Sequence, residues 1–116
     1  MQRLKTRAQF EAVMAAGTAA RTAHFALHRK PAGTDAPALG VVIPKRWAKR
    51  AVTRNTIKRQ IHAVSEASQL PAADYVVRLR SAFDRTQFAS ATSLVLKRAV
   101  RSELQQLFSQ VAGPAA

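Results

Sequence analysis

Between Lys45 and Arg59 the chain carries seven cations in fifteen residues and no acid. Such a stretch can fold only if its apolar residues gather on one side and leave the charge in water. Placed at 100° per residue from Val52 onward, they do so. Ile57, Ile61 and Val64 fall within about 60° of one another, while Arg54, Asn55, Lys58, Arg59 and His62 cover the opposite side. The spacing predicts a helix packed on a sheet, with a cationic face turned outward. Arg forks onto a phosphate through two N–H groups, Lys adds a point charge, and Asn donates to phosphate or sugar oxygens. A solvated helix face is the plain alternative, but no acid stands four residues away to neutralise these cations. The pattern suits a polyanion.

The whole chain has the same bias. It holds 19 Lys and Arg against 6 Asp and Glu, a formal charge of +13 over 116 residues. Self-repulsion on this scale disfavours a compact state, so a nucleic-acid partner is the leading explanation. The hydrophobic share is 47%, but 24 residues are Ala and only 27 are Val, Leu, Ile or Phe. A small, Ala-padded core is expected, without a large buried active site. The length fits one domain, 1–116, ordered over about 4–111, with a frayed tail at 112–116.

Other segments supply the rest of an α/β fold. Thr6 and Gln9 form a capping box ahead of a stripe of Phe10, Val13 and Met14, and Gly17 follows as the stop. From Arg21 to Lys30 the period is two: Ala23, Phe25 and Leu27 face one way, His24, Ala26 and His28 the other. Pro31 to Pro37 reads as a loop, and Ala38 to Ile43 as an apolar strand stopped by Pro44. The basic helix ends near Ser65 to Ser68, and Asp74 to Arg80 is a third strand. After a loop at Ser81 to Arg85, Leu96, Val100, Leu104, Leu107 and Val111 mark a final helix. The order is αββαβα.

The run Lys45-Arg-Trp-Ala-Lys-Arg-Ala-Val-Thr-Arg-Asn-Thr-Ile-Lys-Arg59 resembles the signature of the bacterial ribonuclease P protein component, centred on Arg-Asn-x-x-Lys-Arg. Phe10-x-x-Val13 with Gly17, Phe25-Ala-Leu, Gly40-Val-Val-Ile and Asp74-Tyr-Val-Val fall in the family's order, so the likeness runs from Leu4 to Phe108. Thr56 stands where many members carry Arg, and His62-Ala63 where Arg-Glu is usual. Both departures remove cations from the helix. Arg54, Asn55, Lys58 and Arg59 remain.

The resemblance implies a two-layer α/β sandwich with a left-handed strand–helix–strand crossover, against the usual right-handed preference. It implies that Lys45, Arg46, Lys49, Arg50, Arg54, Asn55, Lys58 and Arg59 bind a catalytic RNA subunit. It also implies a cleft beside the first helix, carried over to Phe10, Met14, His28 and Arg80, that holds the single-stranded 5′ leader of precursor tRNA. Rings and cations suit unstacked bases and their phosphates. In the family, RNA performs the hydrolysis with Mg²⁺ and the protein assists. A metal site near the Arg54-Asn55 helix is also implied, without assignable ligands. The expected setting is cytoplasmic, with no membrane and no obligate protein partner.

Bland readings stand beside these. Phe10, Val13 and Met14 also read as ordinary core, and Trp47 as either a base-stacking ring or a loop anchor. His62 reads as an added charge or a plain surface residue, and Arg78 and Arg80 as solvated or RNA-facing. His24 and His28 have the spacing of a helical metal pair, but on a strand four residues span about 13 Å, too far to share one ion.

Glu11, Asp35, Glu66, Asp74, Asp84 and Glu103 are scattered, so no catalytic residue is expected in the protein. With no Cys, disulfides and thiolate chemistry are excluded, which suits a reducing compartment. No apolar run approaches the ~18 residues of a membrane span, and Glu11 and Gly17 interrupt any signal-like stretch. A stand-alone RNA-binding module of the ribosomal kind explains the charge but not the ordered match. A basic membrane-surface protein would leave its apolar helix faces exposed, whereas strands are available here to cover them.

Overall fold

A computed structural model describes residues 1–31, 36–83 and 94–112. Asp35, Asp84, most of the loop after Ser81 and the tail at 113–116 lie outside the described residues. The elements are β1 (Gln2–Arg3), α1 (Arg7–Ala15), β2 (Thr18–Arg21), β3 (Phe25–Lys30), β4 (Ala38–Val42), α2 (Ala51–Ala67), β5 (Asp74–Leu79) and α3 (Leu94–Ser109). The mixed α/β class holds. Two strands are added to the order expected from the sequence.

The strands form one sheet in the order β1-β4-β5-β3-β2. β4 and β5 are parallel neighbours joined through α2, while β5–β3 and β3–β2 are antiparallel. β1 is only two residues long and pairs parallel with β4, so strand pairing begins at Gln2, ahead of the expected start at Leu4. Both β1 residues are exposed and carry no periodicity to reveal them.

The single strand expected over Arg21 to Lys30 is a hairpin. Thr22 closes its turn: its N–H donates to the Phe25 carbonyl at 2.9 Å and its hydroxyl accepts from the Phe25 N–H at 3.3 Å. That turn breaks the alternation before it reaches His24. The His24 ring lies on the α3 side, with Nδ1 2.7 Å from the Glu103 carboxylate and its plane stacked on Phe83 at 3.9 Å. His28 lies on the other side of the sheet, toward α1. The expected common face of the two histidines is therefore corrected.

The two-layer expectation describes the sheet with α2 and α3. Ile57, Ile61 and Val64 of α2, with Leu96, Val100, Leu104, Leu107 and Phe108 of α3, bury against Phe25, Leu27, Leu39, Tyr75, Val77 and Leu79. α1 makes a smaller third layer on the opposite face, where Val13 packs with Leu4, Ala38 and Val76. Its start is set as the sequence indicates: Thr6 Oγ1 accepts from Gln9 N–H at 3.2 Å, and Gln9 Oε1 accepts from Thr6 N–H at 3.0 Å. Gly17 ends it at φ +105°, a conformation that suits glycine.

Candidate nucleic-acid interface

The basic segment splits into a loop and a helix face. Pro44 opens the loop, accepting from the N–H groups of Trp47 and Ala48 at 3.1 and 3.2 Å. Lys45, Arg46, Lys49 and Arg50 are exposed on it, and Ala48 is buried beneath. Trp47 is half-buried against the α2/α3 core, with the Arg46 guanidinium 5.1 Å from its ring centroid. Its indole N–H is buried without a partner among the described residues.

Arg54 departs from its expected place on the open face. It is half-buried, and its Nη1 donates to the Ala48 and Lys49 carbonyls at 3.0 and 2.8 Å. Arg50 caps α2 without a side-chain hydrogen bond, so Arg54 is what ties the loop to the helix. Asn55, Lys58 and Arg59 are exposed as the wheel requires. His62 is half-buried, and burial, with the charges of Arg3 and Lys58, pushes its pKa below the ordinary value against the pull of Glu66. Arg3 thus joins the field of α2 from β1, which no local pattern announces. On the other edge, Asn55 and Arg59 line a groove of about 330 Å³ with Val52, Thr56, Gln60 and Lys97 of α3.

The second region lies across the sheet. Phe10 and Met14 are half-buried on α1 over the Val76 side of the sheet. Phe10 comes so close to β4 that a Cβ on Gly40 would stand 2.4 Å from its Cε1 and 2.7 Å from its Cζ. Glycine at 40 is what lets the ring lie there. His28 is 5% exposed, opposite Val76 on β5. Its Nδ1 is 3.2 Å from the Gly17 carbonyl, and its Nε2 accepts from Arg78 Nε at 3.5 Å. A neutral ring, protonated on Nδ1, satisfies both contacts. Burial and the Arg78 and Arg21 charges lower its pKa, although the Gly17 contact opposes them.

Phe10, Met14 and His28 therefore gather around α1. Arg80 stands apart. It follows the end of β5, where its N–H donates to His24 O at 2.8 Å and its Nε to Thr22 O at 3.1 Å. The cation beside His28 is Arg78, on the same strand face by the two-residue period. Glu103 braces the Thr22–His24 turn from α3, accepting from the Thr22 hydroxyl at 2.6 Å and the His24 N–H at 2.8 Å.

Among the described residues no three His, Asp or Glu side chains come together as metal ligands. Among them also, no helix is long and apolar enough to cross a membrane.

The family profile described as Ribonuclease P matches residues 1–111. The ribonuclease P protein component of Bordetella parapertussis is 41% identical over 117 residues, covering 95% of this chain and 91% of that protein. That of Burkholderia mallei is 38% identical over 94 residues, covering 79% of this chain and 68% of its own length. The fold is similar to that of the Staphylococcus aureus RNase P protein, with TM-score 0.75, 21% identity, and 97% and 99% of the two chains covered. It is also similar to that of the Thermotoga maritima RNase P protein, with TM-score 0.73, 22% identity, and 97% and 100% covered.

Proposed function

Because the chain belongs to the ribonuclease P protein component family, whose members partner an RNA subunit in a tRNA-processing ribonuclease, we propose two binding tasks for its two regions. The α2 face and the Lys45–Arg50 loop hold the catalytic RNA. The α1 cleft, with Phe10, Met14, His28 and Arg78, receives the single-stranded 5′ leader of precursor tRNA, and Arg80, just past the end of β5, stands apart from it. The observation that carries this reading is the exposed, acid-free surface of Asn55, Lys58 and Arg59 beside four exposed loop cations. Phosphates can approach it without displacing an internal ion pair.

In this proposal hydrolysis belongs to the RNA. Glu11, Glu66, Asp74 and Glu103 sit on four different elements, and Glu103 is engaged by Thr22 and His24. Mg²⁺ acts mainly through the RNA subunit and its substrate in this reading. The protein's cations reduce repulsion between two polyanions and so lower the Mg²⁺ needed to bring them together.

A single-turnover cleavage assay with protein alone, cognate RNA alone and both, across a Mg²⁺ series, tests this. Protein alone should leave precursor tRNA intact, and the pair should cut at the mature 5′ end at lower Mg²⁺ than RNA alone. Cleavage by protein alone, or RNA activity indifferent to the protein at every Mg²⁺ level, would refute the proposal.

A further inference from the structure

The cations of α2 do not all look the same way. Arg54 is turned back onto the loop, and Lys58 and His62 face the edge that Arg3 approaches from β1. Asn55 and Arg59 face the other edge, where α3 packs. There they meet Lys97, 38 residues further along the chain, across the groove of about 330 Å³.

The lining is chemically selective. Arg59 and Lys97 supply positive charge, and Asn55 and Gln60 supply amide donors. The Thr56 hydroxyl already donates to the Val52 carbonyl at 2.9 Å, so it is not free for a ligand. Among the described residues no carboxylate and no aromatic ring lines the groove, and neither Arg59 nor Lys97 forms an ion pair. Two cations facing one concavity without an acid repel each other, and a bound anion removes that cost. A planar fork, a point charge and two amides fit the non-bridging oxygens and the 2′-hydroxyls of an RNA backbone. The described lining offers contacts to phosphate and sugar and no ring for an unpaired base to stack on. Arg101, exposed one turn along α3 from Lys97, continues the charge beyond the groove.

We infer that the α2/α3 groove is a second RNA-backbone site, with Lys97 as a phosphate-binding residue outside the basic segment. Its ligand is a sugar–phosphate stretch of folded RNA, not the single-stranded leader, whose proposed cleft lies on the opposite face of the sheet. The inference rests on the catalytic-RNA partnership and widens its footprint from one helix to two.

The test is equilibrium binding of the full chain to the cognate catalytic RNA over a monovalent-salt series. Lys97→Gln should lower the log–log salt slope by about one, as loss of one phosphate contact requires, and Lys97→Glu should weaken binding by roughly tenfold or more at low salt. Arg98→Gln, exposed but about 100° around the helix from Lys97, should do neither. The chain has no Cys, so Lys97→Cys gives a unique attachment point for a photo-crosslinker. It should label folded segments of the catalytic RNA and leave the precursor leader unlabelled.

An unchanged slope in both Lys97 variants, with parental circular dichroism and with Lys58→Gln still lowering it, overturns the groove site alone. If Lys58→Gln and the Lys97 variants are all silent, the RNA-binding reading of α2 falls as well. Crosslinking to the leader also overturns the inference.

Discussion

The α2 face and the α1 cleft are built by opposite means. On α2 the exposed side chains of Asn55, Lys58 and Arg59 come from one continuous segment and need only a 3.6-residue period and an apolar back to be presented. In the proposed cleft, Phe10 and Met14 come from a helix, His28 from β3, Arg78 from β5, and the permitting Gly40 from β4. One region is a local pattern and the other a tertiary coincidence. The chemistry differs accordingly: exposed cations recognise charge that every nucleotide carries, whereas a partly buried aromatic and imidazole surface can sense whether bases are unstacked.

The comparison breaks most visibly if the two regions are not separable. Phe10→Ala with His28→Ala should weaken precursor tRNA binding to the reconstituted complex much more than mature tRNA binding. Stacking losses of about 1–3 kcal/mol per base correspond to roughly five- to 150-fold. Equal weakening of both RNAs in competitive binding would reduce the cleft to core. Circular dichroism separates that outcome from loss of α1.

Gly40→Ala sharpens the same point more gently. Its new methyl meets Phe10 at 2.4 Å and Leu4 Cδ1 at 3.1 Å, so the ring must move off β4. Overpacking of this kind costs roughly 1–3 kcal/mol, with the lower end expected because Phe10 is half-exposed and free to swing. Urea unfolding should show that loss, and precursor preference should fall while catalytic-RNA binding keeps its salt slope. Loss of the salt slope instead would mean that the two faces are coupled through the sheet.

How far the sequence reveals each region follows from the same contrast. α1, β4, α2, β5 and α3 carry long enough periods or clear stops, from the Thr6–Gln9 box to the stripe at Leu96, Val100, Leu104 and Leu107. β1 is too short to have a period, and β2, Thr-Ala-Ala-Arg, buries only Ala20. Alternation misplaces His24 because a side-chain–backbone turn at Thr22 is decided by a hydroxyl. Arg54 lies on the right helical face, but a wheel cannot show that its guanidinium reaches back to two carbonyls. Lys97 and Arg3 are invisible as partners of α2 until the helices and the sheet are packed.

Arg54 and Lys58 should therefore behave differently although the period places them together. Lys58→Ala should lower the salt slope for catalytic RNA by about one, with stability within roughly 0.5 kcal/mol of the parent. Arg54→Ala removes two charge-assisted bonds to the loop, a loss of about 1 kcal/mol after allowance for partial exposure. Limited proteolysis should then cut the Lys45–Arg50 loop faster. If Arg54→Ala changes only the slope and leaves loop cleavage unchanged, its carbonyl contacts do not hold the loop.

The smallest effect is set by pH, and it is read in folding stability for one region and in RNA binding for the other. Both His28 and His62 are held below the ordinary value of 6.5, chiefly by burial and then by neighbouring cations. Above pH 6.5 the folded and unfolded chains both keep these rings neutral. As pH falls below it the unfolded chain binds protons that the folded chain resists, so stability declines, and the decline ends once pH passes the folded-state values. His28→Gln should flatten part of that fall in unfolding experiments between pH 7.5 and pH 5, because His28 is enclosed between Gly17 and Arg78. His62 is different because RNA phosphates can approach it. A phosphate beside Arg3 and Lys58 offsets the charges that disfavour its proton, so catalytic-RNA binding should tighten as pH falls and take up protons from the buffer. His62→Gln should abolish that tightening without altering precursor preference. If His28→Gln abolishes it instead, catalytic-RNA contact reaches the cleft, and the division between the two faces is wrong.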